Sequence, residues 1–208
     1  LSSLAGEYIK KPHKYNIWKD VKSYEGSAIM FLSTFIILML FSKFIFYQFD
    51  TLESFLAIMT CCFAITIAEA MSKKGSDNIS IPITAFFFIE IFNIVNMENF
   101  IIGFSFMIIL ITIVLFYFYK RKHLSLDGFL SSTLMAGLIL GFGGQKYVLP
   151  IAIFFILSTL LSKIGSKDLH ESNNGRNANQ VFANGGVGLL LCVFNHFYQT
   201  EQIYYMFL

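Results

Sequence analysis

Charge is what this sequence lacks most. Only 13% of its 208 residues are Asp, Glu, Lys or Arg, against roughly 25% in an ordinary soluble domain. A soluble all-α protein of this length would need far more polar side chains to coat its outer surface. Cysteine is scarce too: Cys61, Cys62 and Cys192 all lie in apolar runs without metal-ligand spacing, which reads as buried thiols and excludes a disulfide framework or a thiolate zinc site. The four histidines, His13, His123, His170 and His196, share no ligand spacing either. A net charge of +2 with no basic cluster among exposed aromatics gives no basis for a nucleic-acid partner.

What the chain has in abundance is apolar surface: 56% hydrophobic residues, 25 of them Phe, and a mean hydropathy of +0.65. Stretches of about 20 apolar residues span a bilayer as helices. Seven candidates follow, at roughly 28–48, 52–71, 81–96, 99–119, 126–143, 147–163 and 181–198. The third is interrupted by Glu90 and the fifth is thinned by glycines. The expected fold is therefore all-α, a polytopic transmembrane helix bundle of about seven spans.

If all seven cross, 13 of the 15 Lys and Arg fall on one side, with Lys43 and Lys146 alone on the other. That excess marks the cytoplasmic side or its organellar equivalent, in a bacterial inner membrane or an organelle. Dropping any single internal span would scramble the bias. A seam at "YFYKRKHLSLDG" separates four spans from three, giving two modules, 1–119 and 120–208. The chain opens on "LSSLAGEYIK" and ends on "QIYYMFL", and the expectation is a fragment of a longer protein.

Three polar clusters fall on the basic side. In "VKSYEGS", Ser23 is a plausible N-cap, Gly26 leaves the backbone approachable, and Ser27 follows in the first turn of a long helix. Unpaired N–H groups and a positive dipole end favour an anion there. Lys22 suits the site to a phosphate, and Glu25 to a divalent cation or to a base. An ordinary capped helix with a snorkelling lysine explains the same residues.

In "IAEAMSKKGSDNISIP", Glu69 lies near the end of an apolar helix, where a carboxylate is costly unless paired or functional. Lys73, Lys74, Gly75, Asp77 and Asn78 read as a short loop before Pro82 opens the next span. Lysines neutralise phosphate, and hard oxygens suit magnesium shared with substrate phosphates. A solvated turn would look similar without needing Glu69 beside it.

In "GRNANQVFANGGVG", a helical reading puts Arg176, Gln180 and Asn184 on one stripe, with Asn177 beside it. Interhelical polar contacts explain the glycines and one asparagine, and a stripe headed by arginine less well. Asp127 is a candidate cap for the fifth span, and Trp18 an interfacial anchor.

"LSSLAGE", then "KSYEGSAIMF", then "AEAMSKKGSDNISIP" resemble the C-terminal part of the polyprenol kinase family, the dolichol and phytol kinases, over about residues 1–95. Residues 123–190, from "LSLDGFLSSTLMAGLILGFGG" to "GRNANQVFANGGVG", resemble the N-terminal part of the membrane family that contains plant phytyl-phosphate kinase. The resemblance implies CTP as phosphoryl donor, Mg2+, and an isoprenoid or other lipid alcohol as substrate. A second phosphorylation, of the lipid monophosphate, would follow. Lys22 and Lys74 would hold phosphates, with Glu25, Glu69 and Asp77 taking magnesium or activating the hydroxyl. Rival expectations are a CTP-dependent lipid cytidylyltransferase and a non-enzymatic transporter or scaffold. Transport sites gather near the midplane rather than at one surface.

Overall fold

The computed structural model describes residues 12–18, 20–46, 51–73, 75–94, 100–165, 175–198 and 201–207. Among these residues eight helices follow a short hairpin: β1 (Lys14–Ile17), β2 (Asp20–Ser23), α1 (Tyr24–Ile45), α2 (Thr51–Met71), α3 (Asp77–Ile94), α4 (Phe100–Lys120), α5 (Leu126–Gly143), α6 (Gln145–Gly165), α7 (Ala178–Tyr198) and α8 (Glu201–Phe207). Each of the seven apolar segments is occupied by a helix. Over their described residues α1, α2 (Leu52–Met71), α4, α5 and α7 are long and apolar enough to cross a membrane, and Gln145–Ser158 of α6 is a shorter apolar stretch.

The chain divides into two compact units, residues 1–107 and 108–208. In the first, α2 packs against both α1 and α3. Its Ala57, Ile58, Cys61 and Cys62 are fully buried, as small and apolar residues on a central helix must be. Aromatic edges close the rest of this core, with Phe92 of α3 against Phe104 of α4 at 5.4 Å between ring centroids. Outer faces stay apolar: Leu40 and Phe44 of α1 are 72% and 81% exposed, which lipid, not water, accommodates.

In the second unit the tightest pairing is α5 with α7. Small residues permit it. A Cβ on Gly185 of α7 would run into the Met135 sulfur of α5, so glycine there lets the helices approach.

The hairpin is the element a purely helical expectation does not contain. β1 and β2 pair antiparallel, with Tyr15 opposite Lys22 and Ile17 opposite Asp20. Alternation puts Ile17 at 2% exposure while Lys14 and Asn16 face out. Trp18, in the connection, has a φ of 58°, in the left-handed region. Its indole N–H donates to the Met71 carbonyl at 3.1 Å, and the Lys73 ammonium lies 4.2 Å from its ring centroid. The side chain expected as a membrane-interface anchor thus fastens the hairpin to the end of α2.

Candidate functional site

An open cleft of about 450 Å³ lies in the first unit where α1 begins, α2 ends and α3 begins. Eight residues singled out in the sequence line it: Lys22, Ser23, Gly26, Ser27, Glu69, Lys73, Gly75 and Asp77. Lys14, Asp20 and Ser72 line it too.

Local chemistry explains the assembly. Ser23 caps α1, its hydroxyl accepting the Gly26 N–H at 3.1 Å. Strand pairing delivers Lys22 to the inward side, where its ammonium donates to Glu69 Oε1 at 3.1 Å, to the Glu69 carbonyl at 3.2 Å and to Ser72 Oγ at 3.3 Å. A cation at a helix C-terminus is favoured by the dipole, and here it also compensates a carboxylate whose residue is only 6% exposed. Ser72 donates its own hydroxyl to the Glu69 carbonyl at 2.6 Å. The turn into α3 is closed by Ser76, whose hydroxyl accepts the Lys73 N–H at 2.8 Å. Gly75 occupies a φ of 81°, a conformation with no penalty for glycine alone.

Asp77 and Asn78 are therefore not in a loop before Pro82. α3 starts at Asp77, and Pro82 lies inside it. Asp77 is half-buried at the cleft and has no hydrogen-bond or ion-pair partner among the described residues. Asn78 is exposed and outside the lining, and Lys74 lies outside the described residues.

Glu25 does not line the cleft either. Both its oxygens accept the His13 backbone N–H at 3.0 Å, and Oε1 lies 2.7 Å from His13 Nδ1. It holds the approach to the hairpin in place, with the Tyr24 N–H donating to the His13 carbonyl at 3.1 Å alongside. Tyr15 adds a further tie, its hydroxyl 2.7 Å from that of Ser27. Burial raises the Tyr15 phenol above its ordinary range; the Ser27 hydrogen bond pulls it back, and the Glu69 carboxylate nearby adds to the rise.

The second unit holds the third cluster, arranged differently from the helical reading. α7 begins at Ala178, and Arg176 is extended, bridging Leu124 in parallel. Arg176 therefore does not share a helical stripe with Gln180 and Asn184. Its backbone accepts from the Ser125 N–H at 3.0 Å and donates to the His123 carbonyl at 2.9 Å. Its guanidinium donates to Ser158 Oγ at 2.8 Å and lies 5.6 Å from the Phe155 ring centroid. Burial lowers its pKa from the ordinary arginine value.

Asn177 and Gln180 form a reciprocal cap: the Gln180 N–H donates to Asn177 Oδ1 and the Asn177 N–H to Gln180 Oε1, each at 3.1 Å. Asn184 is exposed farther along α7. Asp127 does not cap its own helix; Ser125 does, accepting the Gly128 N–H at 3.2 Å. Asp127 instead accepts the Ala178 N–H at 2.9 Å and lies 2.6 Å from the Ser125 hydroxyl, so one carboxylate serves the starts of α5 and α7.

Among the described residues no group of three or more His, Cys, Asp and Glu could hold a metal ion by itself. The oxygens that Glu69 and Asp77 present to the cleft suit the other arrangement, in which magnesium takes one or two carboxylates and completes its shell with water and substrate phosphates.

Residues 109–208 match the model of a family described as Integral membrane protein DUF92. No curated protein matches the chain, and no solved structure does. With five long apolar helices among the described residues, the protein is an integral, multi-pass membrane protein.

Proposed function

We propose that the cleft of the first unit transfers the terminal phosphate of CTP to a lipid alcohol of the isoprenoid class, at the cytoplasmic surface of the membrane. The observation that carries this reading is the convergence of Lys22, Ser23, Gly26, Ser27, Glu69, Gly75 and Asp77, drawn from two distant chain segments, on one cleft at the ends of apolar helices. Resemblance to the polyprenol kinases supplies the donor and the acceptor class.

Phosphoryl transfer asks a protein chiefly for positioning and charge stabilisation. Lys22 and Lys73 flank the phosphates beside the capped start of α1, whose positive dipole end favours an anion. The alcohol oxygen bonds the terminal phosphorus as the bond from phosphorus to the bridging oxygen breaks. Asp77, which has no other partner among the described residues, accepts the hydroxyl proton, and CDP leaves. Glu69 and Asp77 would hold Mg2+, which would neutralise the charge developing on the phosphates. Glu25 acts at one remove, positioning the hairpin through His13.

For residues 109–208, a second transfer onto the lipid monophosphate is supported by resemblance and by the Arg176 guanidinium. Asn177 and Gln180 have a capping role that already accounts for them.

The test uses the protein at its natural length in proteoliposomes with phytol or a polyprenol, Mg2+ and CTP labelled on its terminal phosphate. Label is expected in the lipid, falling at least about 100-fold in both Glu69→Gln and Asp77→Asn while membrane insertion is retained. Unchanged labelling in both variants would remove the carboxylate assignment. Cytidine in the lipid with labelled diphosphate released would instead identify a cytidylyltransferase, and solute flux without nucleotide a transporter.

A further inference from the structure

We infer that Glu69 holds Lys22 away from phosphate until a divalent cation takes the carboxylate, so that cation and phosphate chain bind the cleft together. This rests on the phosphoryl-transfer reading of the same site and adds to it an autoinhibitory contact.

Lysine has three N–H donors, and all three of Lys22 are engaged: on Glu69 Oε1, on the Glu69 carbonyl and on Ser72 Oγ, at 3.1 to 3.3 Å. A phosphate oxygen can gain this ammonium only by displacing one of them. The contact most open to exchange is the ionic one. Yet the Glu69 side chain is 8% exposed against 22% for Lys22, and pulling the lysine away alone would take its ammonium counter-charge from a buried carboxylate, which is costly. An incoming cation removes that obstacle by replacing the ammonium as counter-charge.

Among the described residues the walls carry no excess of positive charge: Lys14, Lys22 and Lys73 are balanced by Asp20, Glu69 and Asp77. What these six groups offer a polyphosphate depends on how their charges are redistributed rather than on their sum. Lys73 is also engaged, over the Trp18 ring. The Lys22 and Glu69 pair is the element whose opening yields a cation for phosphate and an anion for metal at once.

The contact makes a prediction opposite to that for a simple metal ligand: losing the Glu69 charge strengthens phosphate binding when metal is absent. Calorimetric titration of the detergent-solubilised protein with inorganic pyrophosphate, in chelator and then with Mg2+, measures both limbs. Glu69→Gln is expected to bind metal-free pyrophosphate about tenfold more tightly than the wild type, and to lose most of the tightening by Mg2+. Asp20→Asn removes the same charge from the same walls without touching Lys22, and is expected to change metal-free binding by less than about twofold. Lys22→Met should bind weakly in both conditions.

Equal tightening in Glu69→Gln and Asp20→Asn would reduce the effect to bulk charge and overturn the inference, as would a Glu69→Gln variant no tighter than wild type. Should Glu69→Gln fail to fold, Lys22→Met decides: Mg2+-dependent tightening as large as in the wild type overturns the coupling. Each of these results leaves the kinase reading standing. No binding of pyrophosphate or CTP by the wild type with Mg2+ would sink the kinase reading and the coupling with it.

Discussion

Replacing Gly128 by alanine tests the second unit where its geometry is least forgiving. A Cβ at this position would collide with the carbonyl oxygen of Arg176, and would lie 3.0 Å from the carbonyl carbon and 3.2 Å from Ser125 Oγ. The obstacle is backbone, so no side-chain rotation relieves it. That carbonyl accepts from the Ser125 N–H, with the Ser125 hydroxyl also 3.0 Å away, and the adjoining N–H donates to His123. Making room means moving the Arg176 segment off Leu124 and Ser125. Losing about two hydrogen bonds at roughly 1 kcal/mol each, with overpacking of about 1–3 kcal/mol, gives about 4 kcal/mol. Alanine's helix preference over glycine returns at most ~1 kcal/mol, leaving a net loss of about 3 kcal/mol.

Gly103 supplies the control, because a Cβ there meets nothing within 4 Å. Gly103→Ala should keep the preference as a gain of up to ~1 kcal/mol. Equilibrium unfolding in mixed micelles, followed by helix ellipticity, reads both. A Gly128→Ala protein as stable as wild type would refute the placement of Arg176 against the start of α5.

Three further outcomes follow from single contacts. Asp127→Ala removes one carboxylate that serves two helix starts and should cost about 2 kcal/mol, with Asp127→Asn nearer ~1 kcal/mol because one oxygen remains; the same unfolding measurement applies, and a silent alanine variant would contradict the shared cap. Tyr147 is 2% exposed and its hydroxyl has no partner among the described residues, so Tyr147→Phe should stabilise by about 1 kcal/mol, and a lowered midpoint would show that the phenol is bonded. Trp18→Phe deletes the indole donor to Met71 while keeping a ring for Lys73. Hydrogen exchange across Lys14–Ile17 and Asp20–Ser23 should then quicken about fivefold, roughly 1 kcal/mol, whereas unchanged exchange would mean that this bond does not hold the hairpin.

The helices were legible because their signal is averaged over some twenty residues, and one Glu90 or one Pro82 cannot erase it. Their starts were not. Hydropathy marks where a segment becomes greasy, near 81, whereas the helix begins at the cap, and Asp77 and Asn78 are helical although polar. Arg176 failed for the opposite reason. Its spacing from Gln180 and Asn184 fits a helical face, but Asn177 with Gln180 three residues on is a capping pair, which marks a helix start after Asn177 and leaves Arg176 outside. That signal was present in the letters and belongs to the reciprocal-cap pattern, not to periodicity.

The hairpin had no such advocate. "KYNI" and "DVKS" are four residues each, carry three charges between them, and are joined through a tryptophan where glycine or asparagine would announce a turn. What holds this pair of strands is contributed from elsewhere: Met71 receives the indole, Glu25 receives His13, and Ser27 meets Tyr15. The consequence for function is specific. Lys22 reaches Glu69, forty-seven residues away, only because β2 folds back along β1 and is fastened to the ends of α1 and α2. Residues that do not line the cleft, such as Trp18 and Glu25, therefore govern whether the lysine and the carboxylate share it.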